Sequence, residues 1–581
     1  MFDIFHEGFW RAGLGDWIDP YFINYLLEHW YRSVATLGDP SSPPMYFPVQ
    51  KTLGYSHGLI LYAPFYILVR LFLHPFQAYS LSLLIVIETG IVCLYLFFRR
   101  SLKLSFLESL LLTAFFFTSQ NVINGTVGVW SQRASVFLIP PILLLLVTAI
   151  RRPDSRLHLG VVCLAGALTT LLFVHDFYTA QFAMFFALLF AVAAVAIDYR
   201  AAVVRGISGF WKAQSVIGKA AFVIAVAGSA WALYVLKYGG LRARVLGITI
   251  ASRDWRRGAL LAGTSMMVFV ALRGWRRIKS DLAVVAPWVW AFSAGLATGA
   301  SVFLWIFLPA YLEHPRFPEK DLLSQLAVRD PSRWTGLAAA LRDLGAYGTL
   351  RSFKIVFIVS VLACLPWLRA DRKTRLYVLW AAAISLVVFV IPLEIRGFSI
   401  WLAFFRHIPG FNVIRDPTRI IYLYELAFIL AVALLLAGVR SRPGYRIGVC
   451  GLLLFFMVTD HHTDVFDYER PVNVYRRWVD WPIDIPPACQ SFFISRASDE
   501  YIARSPHMWA LYNIDAMFFS LNHAIPTLNG YSAWAPEGWN LMNPQEADYD
   551  ERVQAWIQKN ELHNVCELDV VAHTLRPLPP L

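Results

Sequence analysis

The residues best suited to chemistry begin in Gly15–Asp16–Trp17–Ile18–Asp19–Pro20. Asp16 and Asp19 stand three apart, a spacing that brings two carboxylates together on one helical turn. At a membrane surface such a pair can deprotonate an acceptor as a general base, or hold a divalent metal ion (Mg or Mn) beside a phosphate. The plainer reading is a helix start, with Asp19 as N-cap and Pro20 in the first helical position. The two readings are compatible.

Three further clusters share this character. His57 lies in Gly54–Tyr55–Ser56–His57–Gly58, where a loop rich in proline (Pro40, Pro43, Pro44, Pro48) meets the first apolar run. It can bind substrate or move a proton, or simply close an interfacial turn. Arg415 and Arg419 sit in Arg406–Arg419, RHIPGFNVIRDPTR, just before an apolar helix whose start is marked by Asp416 and Pro417. Cations there oppose the helix dipole and fall on the side of the membrane that is normally poor in positive charge. A phosphate docked at the helix N-terminus would compensate them; so would a loop carboxylate such as Glu394. His175 and Asp176, with Tyr178, separate two apolar runs, and either help to bind a polar acceptor or form an ordinary helix-end loop. Asp460–His461–His462–Thr463–Asp464 has the residue types of a metal site, but is equally a polar exit from a helix.

The elements that must position these groups are membrane helices. Of the 581 residues, 57% are hydrophobic and only 15% charged, with a mean hydropathy of +0.53. A soluble domain carries about 25% charged residues. Apolar runs recur at Ala78–Phe98, Phe106–Val122, Ala134–Ile150, Leu159–His175, Ala180–Ile197, Ala220–Leu236, Gly258–Leu272, Leu282–Tyr311, Phe353–Leu368, Tyr377–Pro392, Ile420–Ala437 and Ile447–Val458. That is about twelve spans. Gly58–Leu73 is shorter, holds Pro64 and Arg70, and reads as an interfacial or re-entrant helix. Ahead of it, Tyr21–Arg32 reads as amphipathic.

Charge sets the topology. The loops from Arg99, Arg151, Tyr199, Arg273, Arg369 and Arg440 are basic, which makes them cytoplasmic. The intervening loops, including the clusters above, then face outward; Lys237–Arg257 is basic against this pattern. The net charge of +12 is therefore a topology signal, and no nucleic-acid motif accompanies it. No signal peptide or span precedes Pro48, although a tail of this length normally crosses a membrane behind a hydrophobic signal. An upstream helix is expected, for about thirteen spans in all.

The organisation expected is residues 1–75 as an outer acidic loop with amphipathic and re-entrant helices, 76–459 as the helix bundle, and 460–581 as a small outer α/β domain. In that tail Ser491–Ile494 and Val565–Val571 read as strands, His507–Leu521 as a helix or turn carrying aromatics, Glu551–Lys559 as helical, and Pro526–Ser532 as a glycine-centred turn. No catalytic constellation stands out in it. Cys489 and Cys566 can form a disulfide if the tail faces an oxidising compartment; Cys93, Cys163, Cys364 and Cys450 read as buried thiols. Gly295 and Gly299 form a GxxxG pattern that reads as close helix packing.

Taken in order, the clusters resemble the GT-C superfamily of polytopic glycosyltransferases, in particular the bacterial group related to oligosaccharyltransferases and polyprenyl-phosphate sugar transferases. The likeness rests on Gly15, Asp16, Asp19 and Pro20; on Phe47–Pro48 through Thr52–Leu53 to Tyr55–Ser56–His57; on Pro409–Gly410–Phe411 with Arg415, Pro417 and Arg419; and on Asn529–Gly530–Tyr531–Ser532. It runs nearly end to end, but the first transmembrane helix of that group has no counterpart here. The resemblance implies a mainly α, polytopic membrane bundle with a periplasmic α/β C-terminal domain in the cell inner membrane. It further implies inverting transfer from a polyprenyl-phosphate sugar donor to a glycan, lipid or protein acceptor, with Asp19 and Asp16 as catalytic or metal-holding carboxylates. His57, Arg415, Arg419, His175 and Asp176 are the substrate-binding candidates. A flippase for lipid-linked glycans would instead need acidic residues or broken helices at mid-membrane, where Glu88 stands alone; a non-catalytic assembly protein would keep the fold and tolerate loss of the aspartates.

Overall fold

The structure is a computed structural model. It describes residues 18–119, 131–151, 156–194, 215–238, 255–273, 287–313, 398–407, 411–414, 416–438, 443–459, 483–495, 508–570 and 572–578, with short strands and single turns elsewhere. The described chain is mostly helical with small sheets, and it divides into two compact units, residues 1–190 with 291–581, and residues 191–290.

The first unit opens on α1 (Asp19–Thr36), started by Pro20 and ended by Leu37 in the left-handed region. Every residue of the helix from Pro20 to Trp30 is buried, the polar Asn24, Glu28 and His29 included. Its second face is covered by the distant C-terminal tail. Tyr21 stacks on Phe518 at 4.6 Å between ring centroids and donates to Asp515 at 2.8 Å. Below it lies α2 (Ala63–Arg70), whose Leu68 is exposed together with Leu71 and Phe72 just beyond, as suits an interfacial helix. The buried Glu28 of α1 joins the two helices. It accepts from the Tyr66 hydroxyl and from Arg70 Nε, both at 2.8 Å, and from Arg32 Nε at 3.0 Å. Arg32 reaches on to Asn522 of the tail.

His29, on the same helix, is buried against the Pro40 carbonyl at 3.1 Å. Burial pushes its pKa down to about 4, against a smaller upward pull from that carbonyl and from Asp39. A histidine held neutral stabilises fully above its unfolded pKa near 6.5 and loses that contribution as the pH falls towards 4, a gap worth about 3 kcal/mol. Unfolding midpoints of the purified chain should therefore drop between pH 6.5 and 4. His29→Gln should flatten that interval, and an unchanged slope in the variant would refute the assignment.

The bundle follows with α3 (Pro75–Leu96, continued by a π-helical turn to Ser101), α4 (Phe106–Phe117), α5 (Ile139–Arg151, led in by a 3-10 segment Ser131–Leu138), α6 (Arg156–His175) and α7 (Phe177–Ala194). Ser105 and Glu108 form a capping box at the start of α4, and Glu108 is gripped by Arg446 at 2.5 Å. Helices α8 (Val216–Tyr238) and α9 (Trp255–Arg273) make up most of the second unit. They pack on each other, with Phe222 and Phe269 at 5.4 Å, around an antiparallel hairpin of β2 (Leu241–Val245) and β3 (Ile248–Ser252) that occupies the basic loop. The bundle closes with α10 (Pro287–Glu313), α11 (Ile400–His407), α12 (Ile421–Gly438) and α13 (Pro443–Thr459). Two small pairings join remote segments: β1 (Ala12–Gly13) with β6 (Arg470–Pro471), and β4 (Ala327–Arg329) with β5 (Leu393–Ile395).

Among the described residues, Pro75–Ser101, His158–His175 and Val289–Ala310 are long and apolar enough to cross a membrane, and seven further apolar helices span 10 to 17 residues. The expected spans Phe353–Leu368 and most of Tyr377–Pro392 lie outside the described residues, as does Asp460–Asp464. The GxxxG pattern does join two helices closely. A Cβ on Gly295 would lie 1.9 Å from the Cys163 carbonyl oxygen of α6, and one on Gly166 would lie 2.3 Å from that of Phe292. Gly295→Ala must therefore push α6 and α10 apart, and it should lower the detergent melting temperature by several degrees. Gly160→Ala, where the added carbon meets nothing within 4 Å, should be neutral or slightly stabilising.

The tail builds a three-stranded sheet in the order β7 (Ser491–Ile494), β8 (Val565–Asp569), β9 (Thr574–Pro577), parallel then antiparallel. It is backed by α14 (Met508–His523) and α15 (Tyr549–Lys559). Cys489 and Cys566 form a disulfide across it, with Cα atoms 5.5 Å apart. The tail is stitched to the proline-rich loop by backbone bonds, Tyr46 N–H to the Asn529 carbonyl at 3.1 Å and Phe47 N–H to that of Thr527 at 3.0 Å.

Candidate functional site

The site forms where the segment 52–58 threads between the ends of α6 and α10. Glycine is required twice for that approach. A Cβ on Gly54 would meet the Ile306 carbonyl oxygen at 2.6 Å, and one on Gly58 would meet that of Val174 at 2.5 Å. Gly58 N–H instead donates to this Val174 oxygen at 2.8 Å, and the Trp30 indole of α1 donates to the Gly58 carbonyl at 2.7 Å. His57 is thereby carried to Asp176, with 3.4 Å between Nδ1 and Oδ1.

Asp176 is the single residue between α6 and α7 and caps the latter, accepting from Tyr178 N–H at 3.1 Å. Its other oxygen accepts from the hydroxyls of Ser135 at 2.6 Å and Thr179 at 2.5 Å. Burial alone would raise this carboxyl; the His57 ring and the two hydroxyls outweigh it and hold the group below the usual carboxylate range. His175 is fully buried behind it, against the Tyr62 ring at 4.1 Å and the Leu61 N–H at 3.3 Å.

Arg419 enters from the turn Pro417–Ile420 ahead of α12. Its Nε donates to Asp416 at 3.0 Å, and its guanidinium lies 4.7 Å from the centroid of the Tyr178 ring. Arg419 thus pairs with its own helix-start carboxylate, while Glu394 belongs to β5. Burial would lower the pKa of Arg419, but Tyr178, Asp416, Asp19 and Asp176 together raise it. Buried Arg133, two residues into the 3-10 segment, feels the same carboxylates. Burial and then Arg419 drive it down to about 9, against the pull of Asp416, Asp19 and Asp176.

Asp19 stands at the first position of α1, half-buried. Gln132 Nε2 donates to its Oδ2 and the Tyr531 hydroxyl to its Oδ1, each at 3.3 Å. Asp19, His57, Asp176 and Arg419 are therefore brought into one electrostatic cluster from four separate parts of the chain. Asp16 and Arg415 lie outside the described residues. Among the described residues no group of three His, Cys, Asp or Glu side chains converges as a metal site. The donors shown at Asp19 are an amide and a phenol, which suit a hydrogen-bonded carboxylate rather than a bound cation.

A cavity of about 530 Å³ opens beside the cluster. His57, Tyr178 and Arg419 mark its polar end, Tyr55 and Trp534 stand at its tail side, and Phe173, Phe177, Phe303, Leu304, Phe307 and Leu308 of α6, α7 and α10 make an apolar wall. Asp19 is not on that wall; it acts on it through Arg419. The Tyr55 hydroxyl donates to Glu313 at the end of α10, and the Trp534 N–H donates to the Tyr55 carbonyl at 3.2 Å.

The sequence assigned no role to Gln132, Arg133 or Trp534, and named Tyr531 only as part of the Asn529–Ser532 motif. Arg133 carried the same signal as Arg419, a cation at the outer mouth of a span. Tyr531 and Trp534 belong to the tail, where no constellation was expected; an aromatic directly after Asn529–Gly530 was the available clue.

No protein-family model matches the chain, and no curated protein does. Among solved structures it is similar to an oligosaccharyltransferase of Archaeoglobus fulgidus, in its complex with Zn and sulfate and in its apo form. Identity is 12% over 96% of this chain, with a TM-score of 0.34 in both comparisons. The chain spans 64% of the length of that protein in the complex and 65% in the apo form.

Proposed function

We propose that this chain is a membrane glycosyltransferase that moves a sugar from a polyprenyl-phosphate-linked donor to an acceptor glycan, lipid or protein at the outer face of the cell inner membrane. One observation carries the reading: a cavity with an apolar wall of membrane helices ends at a desolvated guanidinium, and the Asp19 carboxylate lies within electrostatic reach of that guanidinium. An isoprenoid tail suits the wall, and its phosphate suits Arg419, with Arg415 four residues earlier in the sequence. The disulfide in the tail favours an oxidising compartment for residues 460–581. The proposed organisation is an outer segment, 1–75, a helix bundle, 76–459, and an outer C-terminal domain, 460–581.

In this mechanism Asp19 accepts the proton of the acceptor hydroxyl, supported by Asp16. The acceptor oxygen forms a bond to the anomeric carbon. The bond from that carbon to the phosphate oxygen breaks, its electron pair stays on the phosphate, and Arg419 meets the charge that develops there. Attack from the Asp19 side and departure on the cavity side invert the anomeric centre. His57 and Asp176 orient the headgroup, with His175 fixing the loop behind them. No step is routed through a metal ion, because the two donors on Asp19 suit a hydrogen-bonded carboxylate.

The test is the full chain in proteoliposomes, supplied with a panel of radiolabelled polyprenyl-phosphate hexoses and pentoses. Release of polyprenyl phosphate from at least one donor is expected. No release from any member by a chain that remains folded would overturn the reading.

A further inference from the structure

Asp19 receives a hydrogen bond on each oxygen, and the two donors come from different parts of the molecule. Gln132 belongs to the 3-10 segment ahead of α5, and Tyr531 to the tail. Tyr531 is delivered by a turn with little freedom. The buried Asn529 accepts from Ile494 N–H at 2.9 Å and donates to Asn513 Oδ1 at 3.0 Å and the Tyr549 hydroxyl at 3.1 Å. Gly530 lies flat on the Tyr46 ring, where a Cβ would come within 2.3 Å of a ring carbon. The Tyr531 ring then meets Phe22 edge-on at 5.3 Å and Trp509 at 6.3 Å. The strand, both tail helices and α1 thus all fix where one phenol sits.

We infer that Tyr531 is a positioning residue for Asp19: with Gln132 it locks the carboxylate in one rotamer, so the C-terminal tail completes the site at the start of the chain. This rests on the reading of Asp19 as the base. A carboxylate on the first residue of a helix is otherwise free to turn towards water, and proton abstraction needs one oxygen within hydrogen-bond reach of the acceptor. The amide and the phenol remove that freedom from opposite sides while leaving further lone pairs open on each oxygen. This also gives a physical reason for the tail to be stitched to the proline-rich loop instead of hanging from the last helix.

The experiment compares Tyr531→Phe with the parent chain in proteoliposomes, using whichever labelled polyprenyl-phosphate sugar the parent turns over. The phenylalanine keeps the contacts with Phe22 and Trp509, so the melting temperature should not move. Loss of one hydrogen bond to a charged group should lower kcat about ten- to a hundredfold with the donor KM unchanged. In the Asp19→Asn background the same substitution should have no further effect, because the group it positions is gone. Parental kcat in Tyr531→Phe, or an equal loss in both backgrounds, would overturn the inference while leaving the base assignment intact. Full activity of Asp19→Asn alone would overturn the base assignment itself.

Discussion

Asp19→Asn is expected to lower sugar transfer by about a hundred- to ten-thousandfold, the range that a positioned general base contributes. Asparagine keeps the size of the side chain and can still accept from one of the two donors, Gln132 or Tyr531, through its amide oxygen, so folding and membrane insertion should be unaffected. What it cannot do is take the acceptor proton. The loss should fall on kcat, with the donor KM nearly constant, because donor binding is assigned to the cavity beyond Arg419. A parallel Asp16→Asn should cost less if Asp16 only supports its neighbour. Glycan profiling of cells that carry each variant, at matched protein levels, gives the answer in vivo. Undiminished product in Asp19→Asn would remove the base from the mechanism and favour a non-catalytic assembly role.

How much of this was legible in the sequence follows from what each residue type reveals by itself. Asp19, His57, Asp176 and Arg419 were visible because each is polar at the edge of an apolar run, and the positive-inside rule put all four edges on one side. Gln132 was illegible because one amide among polar loop residues has no pattern. Tyr531 was illegible because its partner lies 512 residues away. Helix α1 shows the same limit for packing. Its hydrophobic periodicity was correctly helical, but the polar residues on its second face, Asn24, Glu28 and His29, are buried under partners in α2, the proline-rich loop and the tail. A sequence displays which face is apolar; it does not display a buried face satisfied by hydrogen bonds from elsewhere. In the tail, by contrast, Ser491–Ile494 was readable as a strand because aromatic and β-branched residues in a run of four leave few other options.

Arg419→Gln is the second large effect, and its signature should differ from that of Asp19→Asn. A guanidinium aimed at the leaving phosphate acts on charge that grows in the transition state, and removing such a group costs on the order of a hundred- to a thousandfold in kcat. It also holds the ground-state phosphate, so the donor KM should rise as well, which the aspartate variant does not predict. The glutamine also removes the ion pair with Asp416 in a largely buried place, where breaking such a pair is expensive. Stability must therefore be measured alongside turnover, and Arg419→Gln with Asp416→Asn should recover stability without recovering activity. Arg419→Lys keeps a positive charge but gives up the planar fork and the stacking on Tyr178, and should fall between parent and glutamine. Added guanidinium ion should partly restore a smaller variant, Arg419→Ala, if the lost function is charge at the phosphate and not the shape of the turn. A donor KM and kcat in Arg419→Gln both close to those of the parent would leave the apolar cavity without its anion anchor, and the lipid-phosphate donor would have to be abandoned.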